Sequence, residues 1–97
     1  MNLIQSGTPT VVNMTLTEAN VEYSYALGPY VKKFLLQDRG TNDVKLAFAP
    51  GESASNYFTL KGSAVYFEDH VFGPITLYMQ SPNAGTIVEI VIYSARD

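Results

Sequence analysis

The sequence contains no cysteine and no tryptophan, and it has a single histidine. Without cysteine there is neither a disulfide framework nor a thiolate metal site. Without tryptophan the commonest sugar-stacking platform is missing. A nucleophilic relay must gather a serine, a histidine and an orienting acid, and the serines here sit mostly at turns around that one histidine. Charge is sparse at 15%, and six Lys and Arg against nine Asp and Glu leave a net charge of −3. Nucleic-acid binders need a basic footprint, so no nucleic-acid partner is expected. No apolar run reaches the roughly eighteen residues of a membrane helix, and no membrane partner is expected either. The first seven residues carry neither a basic patch nor an apolar stretch of secretory length, so no export signal is expected. Glycine-rich phosphate cradles are absent. The acids show none of the cleft-spanning pairing that glycoside hydrolysis uses.

What the chain does contain is β signal. Its 97 residues are 46% hydrophobic, too apolar for disorder and enough for one core but not two. Thr10 to Leu16 alternates, with Val12, Met14 and Leu16 on one side. Val21, Tyr23, Tyr25 and Leu27 alternate with Glu22, Ser24 and Ala26, and Val44, Leu46 and Phe48 with Lys45 and Ala47. Ile75, Leu77 and Met79 alternate with Thr76, Tyr78 and Gln80. A period of two is what a half-buried strand requires. Helical character is confined to residues 17–22, good for one short turn. Gly28-Pro29, Arg39-Gly40, Lys61-Gly62, Gly73-Pro74 and residues 81–85 supply turns between the runs, because glycine reaches positive φ and proline presets the first turn angle. Lys61-Gly62 fits a tight hairpin, and residues 49–56 fit an exposed loop. The spacing predicts an all-β chain: a single-domain antiparallel β-sandwich, jelly-roll-like, with about eight short strands. Residues 10–97 form that domain, and residues 1–9 form an amino-terminal arm that carries Leu3 and Ile4.

The last strand breaks the alternation. From Thr86 to Ser94, Ile87, Val91 and Tyr93 share one face while Val88, Ile90 and Ile92 share the other, and only Glu89 interrupts the apolar run. Phe34-Leu35-Leu36 and Val65-Tyr66-Phe67 do something similar. A strand in a two-layer sandwich has one face in the core and one in water, so a strand apolar on both faces needs a second cover. Each Ile or Val left in water forgoes roughly 1.5–3 kcal/mol of burial free energy, and large exposed apolar patches are rare on stable monomers. A small chain without disulfides has oligomerisation as its remaining common remedy. The residues expected to carry association are Leu3 and Ile4 of the arm and Val88, Ile90 and Ile92 as the second face of the last strand, with Tyr66, Phe67 and Phe72 beside them. Ile90→Lys is then expected to preserve strand pairing and disperse the oligomer.

Two further features bear on function. Glu68-Asp69-His70 is where carboxylates meet the histidine. Consecutive strand residues point to opposite faces and rarely converge on one ion, so these three read as a polar strand end, and no metal or cofactor is expected. The seven tyrosines combine apolar area with a polar tip, which suits protein interfaces and sugar platforms alike. Asn13-Met14-Thr15 matches a glycosylation sequon but reads as accidental without an export signal.

A set of short phrases extends this reading. Lys33-Phe34-Leu35-Leu36-Gln37 is followed by Arg39-Gly40, then by Asp43-Val44-Lys45-Leu46-Ala47-Phe48 and its Pro-Gly loop. Tyr57-Phe58-Thr59-Leu60-Lys61-Gly62-Ser63 comes next, and Ile75-Thr76-Leu77-Tyr78-Met79-Gln80-Ser81 with Gly85-Thr86-Ile87-Val88-Glu89-Ile90 closes the series. Across about two thirds of the chain, this order resembles small structural proteins of tailed bacteriophages, in particular the capsid decoration or cement class. The resemblance implies a non-enzymatic β-sandwich, made in the host cytoplasm and placed on the virion surface, commonly as a homotrimer. Its role would be to bridge major capsid protein subunits and stabilise the expanded shell. No binding motif carries over residue by residue. The alternative expectation is a small carbohydrate-binding or adhesion module of a tail fibre or baseplate, with an exposed row of tyrosines around a shallow groove. An enzyme would instead need a concave pocket that holds Glu68, Asp69 and His70 together.

Overall fold

The computed structural model describes residues 9–94. Leu3 and Ile4 lie outside them. Eight strands form: β1 (Thr10–Leu16), β2 (Tyr23–Ala26), β3 (Val31–Arg39), β4 (Val44–Ala47), β5 (Phe58–Leu60), β6 (Val65–Glu68), β7 (Thr76–Gln80) and β8 (Thr86–Ser94). Four of them, β1, β2, β4 and β7, lie over the alternating runs. They build two antiparallel four-stranded sheets, in the orders β1-β8-β3-β6 and β2-β7-β4-β5. Except for β4 and β5, consecutive strands lie in opposite sheets. This is the jelly-roll winding of a double-sheet sandwich, and the fold class read from the sequence is the one the chain adopts. Residues 18–20 form a turn. Among the described residues no helix is long and apolar enough to cross a membrane.

The inner faces of the sheets make one core. In the first sheet Val12, Ile90, Leu36 and Tyr66 stand in register across all four strands. Opposite them, Leu46 pairs with Met79 and Tyr25 with Leu77. Phe34, Leu36, Leu46, Leu77, Met79, Val88 and Ile90 are fully buried, each contributing roughly 1.5–3 kcal/mol relative to exposure. Period-two patterning thus carries directly into packing, since every second residue of a strand faces the same layer.

Two local expectations are corrected. Lys61-Gly62 is not a hairpin turn, because β5 pairs with β4 and β6 with β3; it carries the chain from one sheet to the other. Glycine is required at position 62 by proximity, since a Cβ there would sit 2.3 Å from the Thr41 carbonyl oxygen. Phe48 is exposed, whereas Ala47 is buried, so β4 loses its alternation at its end. The reason lies in the loop that follows. Residues 49–56 are mostly exposed, as expected, but a 3-10 turn within them, Glu52–Ala54, packs on the outer face of β4 and β7 and buries Ser53 completely. Glu22 holds this loop. Its carboxylate accepts hydrogen bonds from the Gly51 amide (2.9 Å), the Ser53 amide (3.3 Å) and the Ser53 hydroxyl. The Gln80 side-chain amide of β7 donates to the Ser53 oxygen at 2.9 Å. These bonds, that to the Ser53 hydroxyl foremost, hold the Glu22 carboxyl below its ordinary range.

Candidate functional site

The Glu52–Ala54 turn packs on the second sheet, and among the described residues the register of the first sheet shows what its outer face presents. On its outer face Val11 pairs with Val91, Val91 with Leu35, and Leu35 with Phe67. Four apolar side chains therefore form a row across every strand of the sheet. Val11 is 62% exposed and Phe67 49%, while Leu35 and Val91 are half-buried between them. Val65, 53% exposed, widens the row on β6.

The row has polar borders. On one side Arg39 donates to Glu89 at 2.8 Å and to Asn13 at 3.3 Å, tying β3, β8 and β1 together. On the other the Lys33 ammonium lies 5.0 Å from the centroid of the Tyr93 ring. Ion pairs this exposed add little stability, but an apolar strip inside a polar rim is the usual anatomy of a protein interface.

This arrangement corrects the expected association face of β8. Val88, Ile90 and Ile92 are 0%, 0% and 6% exposed. They point into the core between the sheets and present nothing to a partner. The face that is open carries Ile87, Glu89, Val91 and Tyr93. Phe67 lies on the same outer face. Tyr66, one residue earlier, points inward, and Phe72 stands on a loop after β6. The three aromatic residues predicted to share a surface are therefore divided between two.

Tyr66 and Phe72 belong to a cleft of about 270 Å³ lined by Phe34, Phe48, Tyr66, Glu68, His70, Val71, Phe72 and Ile75. Alternation on β6 turns Tyr66 and Glu68 to its inner side, and a backbone bond from Val71 to the Lys32 carbonyl (3.0 Å) ties the following segment to β3. Tyr66 packs on Phe58 with ring centroids 5.0 Å apart, and on Phe34 at 6.0 Å. Its hydroxyl donates to Glu68 Oε1 at 2.9 Å. Burial, and then the Glu68 carboxylate, push the Tyr66 hydroxyl above its ordinary range. His70 packs on Phe72 at 5.4 Å, and Phe72 is 87% exposed. The cleft thus includes Glu68 and His70 in its lining and leaves Asp69 out. Among the described residues no three His, Cys, Asp or Glu side chains gather to hold a metal ion.

The tyrosines divide between interior and surface. Tyr23 and Tyr25 pack against the core and Tyr66 lines the cleft, so these three belong to no exposed row. Tyr57 lies under Lys45 at 5.1 Å and Tyr93 by Lys33, on the outer faces of opposite sheets. At the far end of the interior, Asp38 is 1% exposed, and neither of its carboxylate oxygens has a hydrogen-bond partner among the described residues. Burial, with a smaller contribution from the Asp43 charge, pushes its carboxyl up to about 6.

Sequence reasoning missed Val11, Leu35, Val65 and Val91 as a set sharing one outer face, and Phe48 as a wall of the cleft. Comparison with family models, with curated proteins and with solved structures gives no match.

Proposed function

We propose that this protein is a non-enzymatic virion structural protein that decorates a bacteriophage capsid and stabilises it by bridging major capsid protein subunits, as a homo-oligomer with a trimer favoured. One observation carries the reading: the Val11–Val91–Leu35–Phe67 row, which crosses a whole sheet and which no described residue covers. Among the described residues the longest loop, between β4 and β5, is anchored by Glu22 to the opposite sheet. A neighbouring copy or a capsid subunit seated on the row would bury it inside the Arg39–Glu89 and Lys33–Tyr93 rim.

The mechanism is additive. Each copy laid across a seam between capsid subunits contributes a modest contact, and a shell carries many copies, so the assembled state gains what no single contact supplies. A rigid sandwich suits that task, because little of the association free energy is spent on ordering the surface. The phage assignment rests on the resemblance of residues 33–90; the association rests on the open row. The test is co-sedimentation with empty expanded shells of its phage. Wild-type protein is expected to pellet with the shells at a saturable ratio, and Val91→Lys is expected to remain in the supernatant. Failure of the wild type to pellet would overturn the capsid reading.

A further inference from the structure

We propose that the cleft beside β6 receives a single cationic side chain, an arginine or lysine from a basic segment of a partner protein. The inference does not depend on what the outer face of the first sheet binds. It starts from a mismatch. Glu68 presents a carboxylate in a cleft otherwise walled by Phe34, Phe48, Tyr66, Val71, Phe72 and Ile75, with His70 at the rim. Its Oε1 is held by the Tyr66 hydroxyl, and no cation of the described residues pairs with it. A carboxylate among aromatic rings binds cations in two ways at once: by charge and by the negative faces of the rings.

Size and chemistry narrow the occupant. At about 270 Å³ the cleft stands at the lower edge of the roughly 300–1,000 Å³ of small-molecule sites, room for one long side chain. An apolar occupant would strip water from Glu68 without replacing it. A sugar needs several donors and acceptors, and the lining offers only Glu68 and His70, with the Tyr66 hydroxyl already engaged. An anion meets the wrong charge, both in the cleft and in a chain of net charge −3. Phe72, at 87% exposure, is placed to close over an alkyl stem as its charged head reaches Glu68.

The experiment is a chemical-shift titration of the full chain with Nα-acetyl-arginine methylamide and with its neutral isostere, Nα-acetyl-citrulline methylamide. The arginine compound is expected to move the signals of Phe48 and residues 66–75 saturably, with a Kd on the order of millimolar. The citrulline compound is expected to bind at least about fivefold more weakly. Glu68→Gln should lower arginine affinity by a similar factor and leave citrulline unchanged. Phe72→Ser, at a position too exposed to affect folding, should weaken arginine by about threefold. Equal binding of the two compounds, shifts confined to other surfaces, no saturation, or displacement by neutral oligosaccharides would each overturn the proposal.

Discussion

Asp38 is the residue at which charge and burial conflict most. Its carboxyl holds a proton more tightly in the folded chain than its ordinary value of 3.8 allows, with a folded value of about 6. Between those values the folded state binds more protons than the unfolded state, so this group's contribution to stability falls as pH rises through the window. Asp38→Asn is expected to flatten that slope and to raise stability at pH 7 by roughly 1–3 kcal/mol, as read by denaturant unfolding across pH 3–8. Equal slopes in the two proteins would contradict the assignment. Glu22 works with the opposite sign. Its carboxyl lies below the ordinary value of 4.5, so its contribution is present above that value and is lost as pH falls through the folded one. Neither behaviour was legible in the sequence, where the two acids look alike. What separates them is that Glu22 meets three donors on a loop 29 and more positions away, whereas Asp38 faces inward at the end of β3.

At the scale of elements, the loop over the second sheet depends on few bonds. Ser53→Ala removes the hydroxyl that joins Glu22 to Gln80 and is expected to cost about 1–3 kcal/mol, with faster amide exchange concentrated in residues 49–56. Uniform acceleration through all strands would show that the loop is not a separate unit. Gly62→Ala forces a Cβ into the Thr41 backbone and is expected to cost more than about 1 kcal/mol, read as a melting temperature lowered by at least roughly 4 °C. Strand positions were legible because alternation is a local property: β1 and β8 have the bounds that their patterns suggest. The partner of each strand was not legible. Lys61-Gly62 has the residues of a hairpin turn, yet the strands on either side pair elsewhere, because burying both inner faces requires the chain to wind between sheets. The polar composition of residues 49–56 describes a largely solvated loop, and that is what they form; the burial of Ser53 was hidden because it depends on Glu22, distant in sequence, supplying the acceptor.

For the whole molecule, the question is which face meets a partner. Two-sided apolar character in β8 was legible, and it pointed to association; the choice between its faces was not made correctly. Glu89 held the necessary signal. It shares a side with Ile87, Val91 and Tyr93, and an unpaired charge seldom turns into a core of this size; in the structure it meets Arg39 on the outside. The exposed row itself could not be read from one strand, because it exists only once β1, β8, β3 and β6 stand side by side. The consequence for mutagenesis is a reversal. Ile90→Lys places a charge in the interior and is expected to unfold the sandwich, a loss above about 4 kcal/mol visible as a collapsed thermal transition. Val91→Lys sits one residue away on the open face and is expected to leave the thermal transition of the monomer intact. Solution mass by light scattering with sedimentation, measured on wild type and Val91→Lys at matched concentrations, decides the matter: the account predicts a wild-type multiple of 10.7 kDa and a variant that falls to a single folded chain, whereas a wild type that is monomeric at high concentration, or a variant that keeps the wild-type mass, would contradict it.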